Sequence, residues 1–208
     1  MIILGLTGSI AMGKSTIADL FCAEGVPVHD ADEAVHRLMA PDGKATPLVL
    51  EAFPSARSTD GGVDRQALGR LVFADPGRRK ELEEILHPLV RKDRDHFCEI
   101  HRKRGTPLVV LDIPLLFETG GEKDCEVVVV VSASPWQQKI RAMARPGMTE
   151  DKLASILDIQ IDDAIKRSKA DFVVPTSYGI ETSRWHVKRI LAQLEAGSDK
   201  ARDDGRSP

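Results

Sequence analysis

Between an apolar run at residues 2–6 and a helical pattern that starts near Ser15, the chain reads Gly8-Ser9-Ile10-Ala11-Met12-Gly13-Lys14-Ser15. This is the full G-x-x-x-x-G-K-[ST] pattern, in the strand–loop–helix setting that a phosphate-binding loop requires. It commits the start of the chain to a strand, a tight loop and a helix. The glycines permit the turns, and successive backbone N–H groups then converge, with the helix N-terminus behind them, on polyphosphate. Lys14 would reach the β and γ phosphates, and Ser15 would ligate Mg²⁺. The expected ligand is a nucleoside triphosphate.

The remaining strand signals are the short apolar runs at 26–30, 108–112, 127–131 and 172–174. They are continuous rather than alternating, which implies burial on both faces, as in a parallel sheet. Helical patterns lie at 15–23, 31–39, 65–73, 78–104, 135–144, 150–166 and 181–194. Strands that alternate with helices predict a three-layer, doubly wound α/β fold around a central five-stranded parallel sheet. Pro88 predicts a kink or two helices within 78–104. Residues 41–105 show no strand signal and read as a helical insertion, the expected acceptor-binding part of a single domain over 1–196. The core of that domain is 1–40 and 106–196, and a lid is expected at about 138–152. Residues 197–208 are polar without apolar periodicity and read as a disordered tail.

A length of 208 residues suits one compact α/β domain. The net charge of −3, with no long basic block, does not favour duplex nucleic acid as a partner. Three cysteines, with no C-x-x-C, argue against a disulfide framework and a zinc site and fit a reducing cytoplasm. No apolar run approaches membrane-spanning length, and Met1 leads into a strand without a basic leader. A cytoplasmic monomer or small homo-oligomer is expected.

Four groups of side chains could carry chemistry. His29-Asp30-Ala31-Asp32 ends the second strand, where open α/β sheets place ligands. Either carboxylate could orient an attacking hydroxyl, and either could instead cap the following helix. Asp112 ends a buried strand, where a second Mg²⁺ contact belongs. Arg141 and Arg145, four apart on a predicted helix, share a face and could clamp phosphates from a lid. His87, before Pro88 and four residues from Arg91, could serve acceptor binding or be structural. Leu38, Leu71, Leu82, Ile85, Leu86 and Phe97 read as core.

Taken together, these segments resemble the dephospho-coenzyme A kinases over nearly the whole chain, from about Ile3 to Leu194. The motifs that carry the resemblance begin with the loop from Gly5 to Thr16, Asp30-Ala31-Asp32 and Asp64-Arg65. They continue with His87-Pro88, Pro114-Leu115-Leu116-Phe117-Glu118, Gln138 with Arg141 and Arg145, Gln160, and Ala170-Asp171. The resemblance implies a P-loop kinase fold. It implies transfer of the γ-phosphate of ATP, with Mg²⁺, to the ribose 3′-hydroxyl of dephospho-CoA, the last step of CoA synthesis. It makes Lys14, Asp32 and Arg141 catalytic, and it puts ATP on Ala11, Met12, Gly13, Lys14, Ser15, Thr16 and Arg145. Thr7, Asp32, His87, Arg91, Leu115, Leu116, Phe117 and Glu118 would bind dephospho-CoA, and Ser15 and Asp112 would bind the metal. Another small-metabolite or nucleoside monophosphate kinase on the same fold, or a nucleotide-dependent switch, are the alternatives. No Asn-Lys-x-Asp guanine element supports the switch. The chain departs from the family at Ser9, Ala11 and Met12, at Phe53-Pro54, and at Pro175-Thr176 where Asp-Asn is usual.

Overall fold

Five parallel strands form one sheet in the order β2-β3-β1-β4-β5. In the computed structural model, which describes residues 1–73 and 75–204, they are β1 (Ile2–Thr7), β2 (Val28–Asp30), β3 (Leu108–Asp112), β4 (Val127–Ser132) and β5 (Phe172–Pro175). All five match the apolar runs, with β2 starting at Val28 instead of residue 26. The N-terminal strand lies in the middle. Leu4 of β1 is opposite Val110 of β3 on one side and Val127 of β4 on the other.

The chain divides into two compact units, Met1–Val28 with the chain from Pro107 onward, and His29–Thr106. In the first, alternate strand residues feed two cores. Leu4, Leu6, Val110, Val129, Val131 and Val174 pack with Ile17 and Phe21 of α1 (Lys14–Ala23) and with Val187 and Ile190 of α9 (Ile180–Asp204). Val128 and Val130, which point the other way, pack with Leu116 and Phe117. Burial on both faces is why the strands carry no polar alternation. Between the strands of this unit run α6 (Pro135–Met143), α7 (Glu150–Ile159) and α8 (Asp163–Lys169). The single helix expected over 150–166 is broken at Gln160, because Asp162 caps a new helix by accepting from the Ala164 N–H.

The second unit is helical: α2 (Ala31–Leu38), α3 (Thr46–Ala52), α4 (Arg65–Phe73) and α5 (Pro76–Lys103). Its core joins Leu38, Val49, Phe53, Leu68 and Leu86, with Leu71, Leu82 and Ile85 packed against them. The unit runs from His29 and takes in α2, which packs on α5. Pro88 lies inside one uninterrupted helix, not at a break between two. Pro88 and Glu84 are both exposed, so water can satisfy the carbonyl that loses its N–H partner. The departure at Phe53-Pro54 is a short 3₁₀ turn (Pro54–Ala56) entered from a fully buried Phe53.

The tail expected at 197–208 falls partly on helix α9 and partly outside the described residues. Helix α9 continues to Asp204, and 205–208 lie outside the described residues.

Candidate active site

The loop between β1 and α1 has the backbone its sequence demands. Gly13 sits at φ 94°, in the left-handed region that side chains resist. A Cβ on Gly8 would lie 2.6 Å from the carbonyl oxygen of Val131. Ala11, at φ 61°, is the one non-glycine with positive φ among the described residues. Helix α1 starts at Lys14 with Gly13 at its N-cap and no side-chain cap. Its first-turn N–H groups are thus left to an anion.

Four side chains fasten this loop to the unit around it. Gln160 Oε1 accepts from the Ile10 N–H at 2.9 Å, and Gln138 Nε2 donates to the Ile10 carbonyl at 3.0 Å. The Thr176 hydroxyl donates to the Met12 carbonyl at 2.7 Å. Met12 itself turns into the core, 2 % exposed, where its Sδ accepts from the Ala133 N–H. The departure at Met12 therefore leaves the cradle clear. Ala11 packs beneath the loop with Ala142 and Leu153.

Lys14 forms an ion pair with Asp112, which is buried at the end of β3. The register of β1 on β3 sets Asp112 opposite Leu6, and this brings the carboxylate beside the loop. Ser15 and Thr16 are exposed on the first turn of α1. Among the described residues no three His, Cys, Asp or Glu side chains converge on a metal position. Asp112 and the Ser15 hydroxyl are hard oxygen donors of the kind Mg²⁺ takes, too few for a resident ion but suited to one that arrives with phosphates.

Arg141, near the end of α6, is half-buried and tied to Thr176. Its Nη1 donates to Thr176 Oγ1 at 2.9 Å and its Nη2 to the Thr176 carbonyl at 2.7 Å. Gly13, Thr16, Gln137, Arg141, Thr176 and Ser177 line a cavity of about 430 Å³ beside the loop. Arg145 does not share a helix face with Arg141, as the spacing predicted. Helix α6 ends at Met143, and Arg145 is exposed in the turn beyond its cap. Pro146 disfavours helical backbone at the residue before it.

Other residues expected at the acceptor site make contacts within the protein in this structure. Thr7 is fully buried and its hydroxyl donates to the Pro114 carbonyl at 3.1 Å. Leu116 and Phe117 belong to the core, because the segment after β3 folds its apolar side chains onto the sheet. Glu118 accepts from the Ile161 N–H at 2.9 Å and pairs at 2.7 Å with the fully buried Lys166. Burial works to raise its pKa, but the Lys166 ammonium and the Ile161 amide outweigh this and hold the carboxyl below the ordinary range. Leu115 alone of these three hydrophobic positions is half-exposed.

In the helical unit, Asp30 is the N-cap of α2 and accepts from the Glu33 N–H at 3.0 Å. Asp32 is exposed in the first turn and plays no part in that cap. His87 and Arg91 are both exposed on α5. Sequence reasoning missed the group beneath the Asp30-Ala31-Asp32 segment. His29, 5 % exposed, meets Asp93 at 2.9 Å, and Arg37 donates to the same Asp93 oxygen at 3.0 Å. Desolvation would raise the Asp93 pKa, but His29 and Arg37 lower it on balance. Asp93 lies within a charged helical stretch that reads as solvated, so no local signal marks it.

A parallel sheet with the phosphate loop after its central strand, an uncapped α1, and a lysine paired with a strand-end aspartate define a P-loop kinase. The profile of the dephospho-CoA kinase family matches residues 2–181. The chain belongs to that family. A dephospho-CoA kinase of Mesorhizobium japonicum is 54 % identical over 93 % of this chain and 97 % of its own length. The crystal structure of TT1252 from Thermus thermophilus superposes with a TM-score of 0.77 at 38 % identity, covering 93 % of this chain and 97 % of that one. The dephospho-CoA kinase of Campylobacter jejuni shares the fold, with a TM-score of 0.66 at 23 % identity over 92 % and 96 % of the two chains.

Proposed function

We propose that this chain transfers the γ-phosphoryl group of ATP to the ribose 3′-hydroxyl of dephospho-CoA, yielding CoA and ADP in the cytoplasm. The observation that carries the reading is the complete phosphate loop, with Lys14 held by Asp112, in a chain that matches the family over 2–181. The loop N–H groups and Lys14 bind the β and γ phosphates and withdraw charge as transfer proceeds. Ser15 and Asp112 would hold Mg²⁺ that accompanies the triphosphate, and the ion would neutralise charge on the phosphate oxygens. Arg141 steadies the transferring group, and Arg145 assists from the turn. Asp32, free of the capping duty that Asp30 discharges, orients the attacking hydroxyl and accepts its proton. His87, Arg91 and Leu115 serve the acceptor.

The test is ADP release by purified protein with ATP and Mg²⁺, in the presence and absence of dephospho-CoA, followed by product mass. Release that depends on dephospho-CoA, with a product one phosphate heavier, is the expected result. ATP binding without transfer to dephospho-CoA would refute the reading.

A further inference from the structure

We propose that Thr176 is a positioning residue for phosphoryl transfer, coupling the phosphate loop to Arg141 through its hydroxyl. The inference rests on the role given to Arg141 above. Thr176 follows β5, and its hydroxyl stands between two functional parts. It donates to the Met12 carbonyl at 2.7 Å and accepts from Arg141 Nη1 at 2.9 Å. A hydroxyl has one donor and two acceptor sites, so both bonds form at once. Thr176 is only 9 % exposed, at the wall of the cavity that Arg141 also lines. Its own N–H is spent on the Ser132 carbonyl at 2.9 Å, so the residue is fixed to β4 before it holds anything else. Its side chain also abuts Gly13, with Cγ2 and Oγ1 each 3.3 Å from where a Cβ would stand on that glycine.

An arginine side chain carries about 2 kcal/mol of rotamer entropy. An Arg141 already held by two bonds needs less ordering to act on a phosphoryl group than one free in solvent. The backbone bond, from Nη2 to the Thr176 carbonyl at 2.7 Å, survives any side-chain change at this position. The hydroxyl supplies the remaining bond and ties the guanidinium to the loop.

Kinetics of Thr176→Val, Thr176→Ser, Arg141→Ala and the Arg141→Ala/Thr176→Val double variant test this, each with a melting curve. Valine keeps the shape and deletes the hydroxyl. It should lower kcat about 10-fold, equivalent to about 1.4 kcal/mol, with the KM for dephospho-CoA little changed. Serine should recover most of that loss. The double variant should be no slower than Arg141→Ala alone, because Thr176 acts through the arginine. Should the valine variant fail to fold, Thr176→Ala carries the same expectation. A hydroxyl-less variant with the parent kcat, a serine variant as slow as valine, or losses that multiply in the double variant would overturn the proposal. Arg141→Ala with the parent kcat would bring down the reading of Arg141, and this inference with it. A slow Arg141→Ala beside a normal Thr176→Val sinks only the inference.

Discussion

Replacing Lys166 with methionine isolates what the buried pair beneath the sheet contributes. Lys166 is 0 % exposed and its ammonium lies 2.7 Å from Glu118, itself only 11 % exposed. Oε1 of Glu118 also takes the Ile161 N–H, while Oε2 has no protein hydrogen bond. Lys166→Met therefore leaves a carboxylate facing an apolar neighbour, with one amide to support it. Removing one partner of a buried pair costs about 3–5 kcal/mol, and the incomplete satisfaction here places the loss near the lower end. For a chain of this size about 3 kcal/mol corresponds to a fall of roughly 6–12 °C in Tm. Urea unfolding at pH 7 reads the loss directly. Adding Glu118→Gln should restore at least about half of it, since a neutral amide is cheaper to bury than a lone carboxylate. The pH dependence has a definite sign. Glu118 is depressed in the folded protein, so its contribution is full above the ordinary glutamate value of about 4.3 and is lost as pH falls through the lowered one. The gap between parent and variant should narrow over that window. A loss below about 1 kcal/mol at pH 7, or a double variant no more stable than Lys166→Met, would refute the reasoning.

Asp32→Asn should lower kcat by about 10²-fold or more while ATP affinity stays near the parent value; a normal kcat removes Asp32 from the mechanism. Lys14→Ala should abolish turnover, seen as loss of dephospho-CoA-dependent ADP release. Gly8→Ala should weaken ATP binding in titration calorimetry and cost about 1–3 kcal/mol of stability, because the methyl meets the Val131 carbonyl. Asp93→Asn should destabilise by about 1 kcal/mol at neutral pH. That difference should fade below the ordinary aspartate value of about 3.9, as pH falls through the lowered folded value and the parent loses its own charge.

Strands β3 and β4 were legible because continuous valine and leucine runs have few alternatives in a chain of this length. The phosphate loop was legible because its pattern is local, lying between Gly8 and Ser15, although the side chains that anchor it, Gln138, Gln160 and Thr176, are distant in sequence. What sequence left open was non-local. Thr7, Leu116 and Phe117 belong to conspicuous motifs, and only packing shows that they face inward. Helix α3 was not among the helical patterns within the insertion, although Pro47 near its start suits a first turn. Asp162 was the signal that would have split 150–166 into two helices. The loss of Arg145 from the α6 face was readable from Pro146. Thr176 had no signal except its departure from the usual residue.

Strand order has a consequence for how the protein is made. Strand β1 leaves the ribosome before the other four strands, yet both of its neighbours lie beyond residue 107. At about 5–20 residues per second, an apolar central strand waits on the order of 5–20 s for its first partner. The helical unit, encoded between them, can complete its own core in that interval. The last anchor of the phosphate loop, Thr176, emerges later still. Nucleotide binding is thereby deferred until β5 is synthesised, and a nascent chain stalled before β5 should hold an exposed strand but no working cradle.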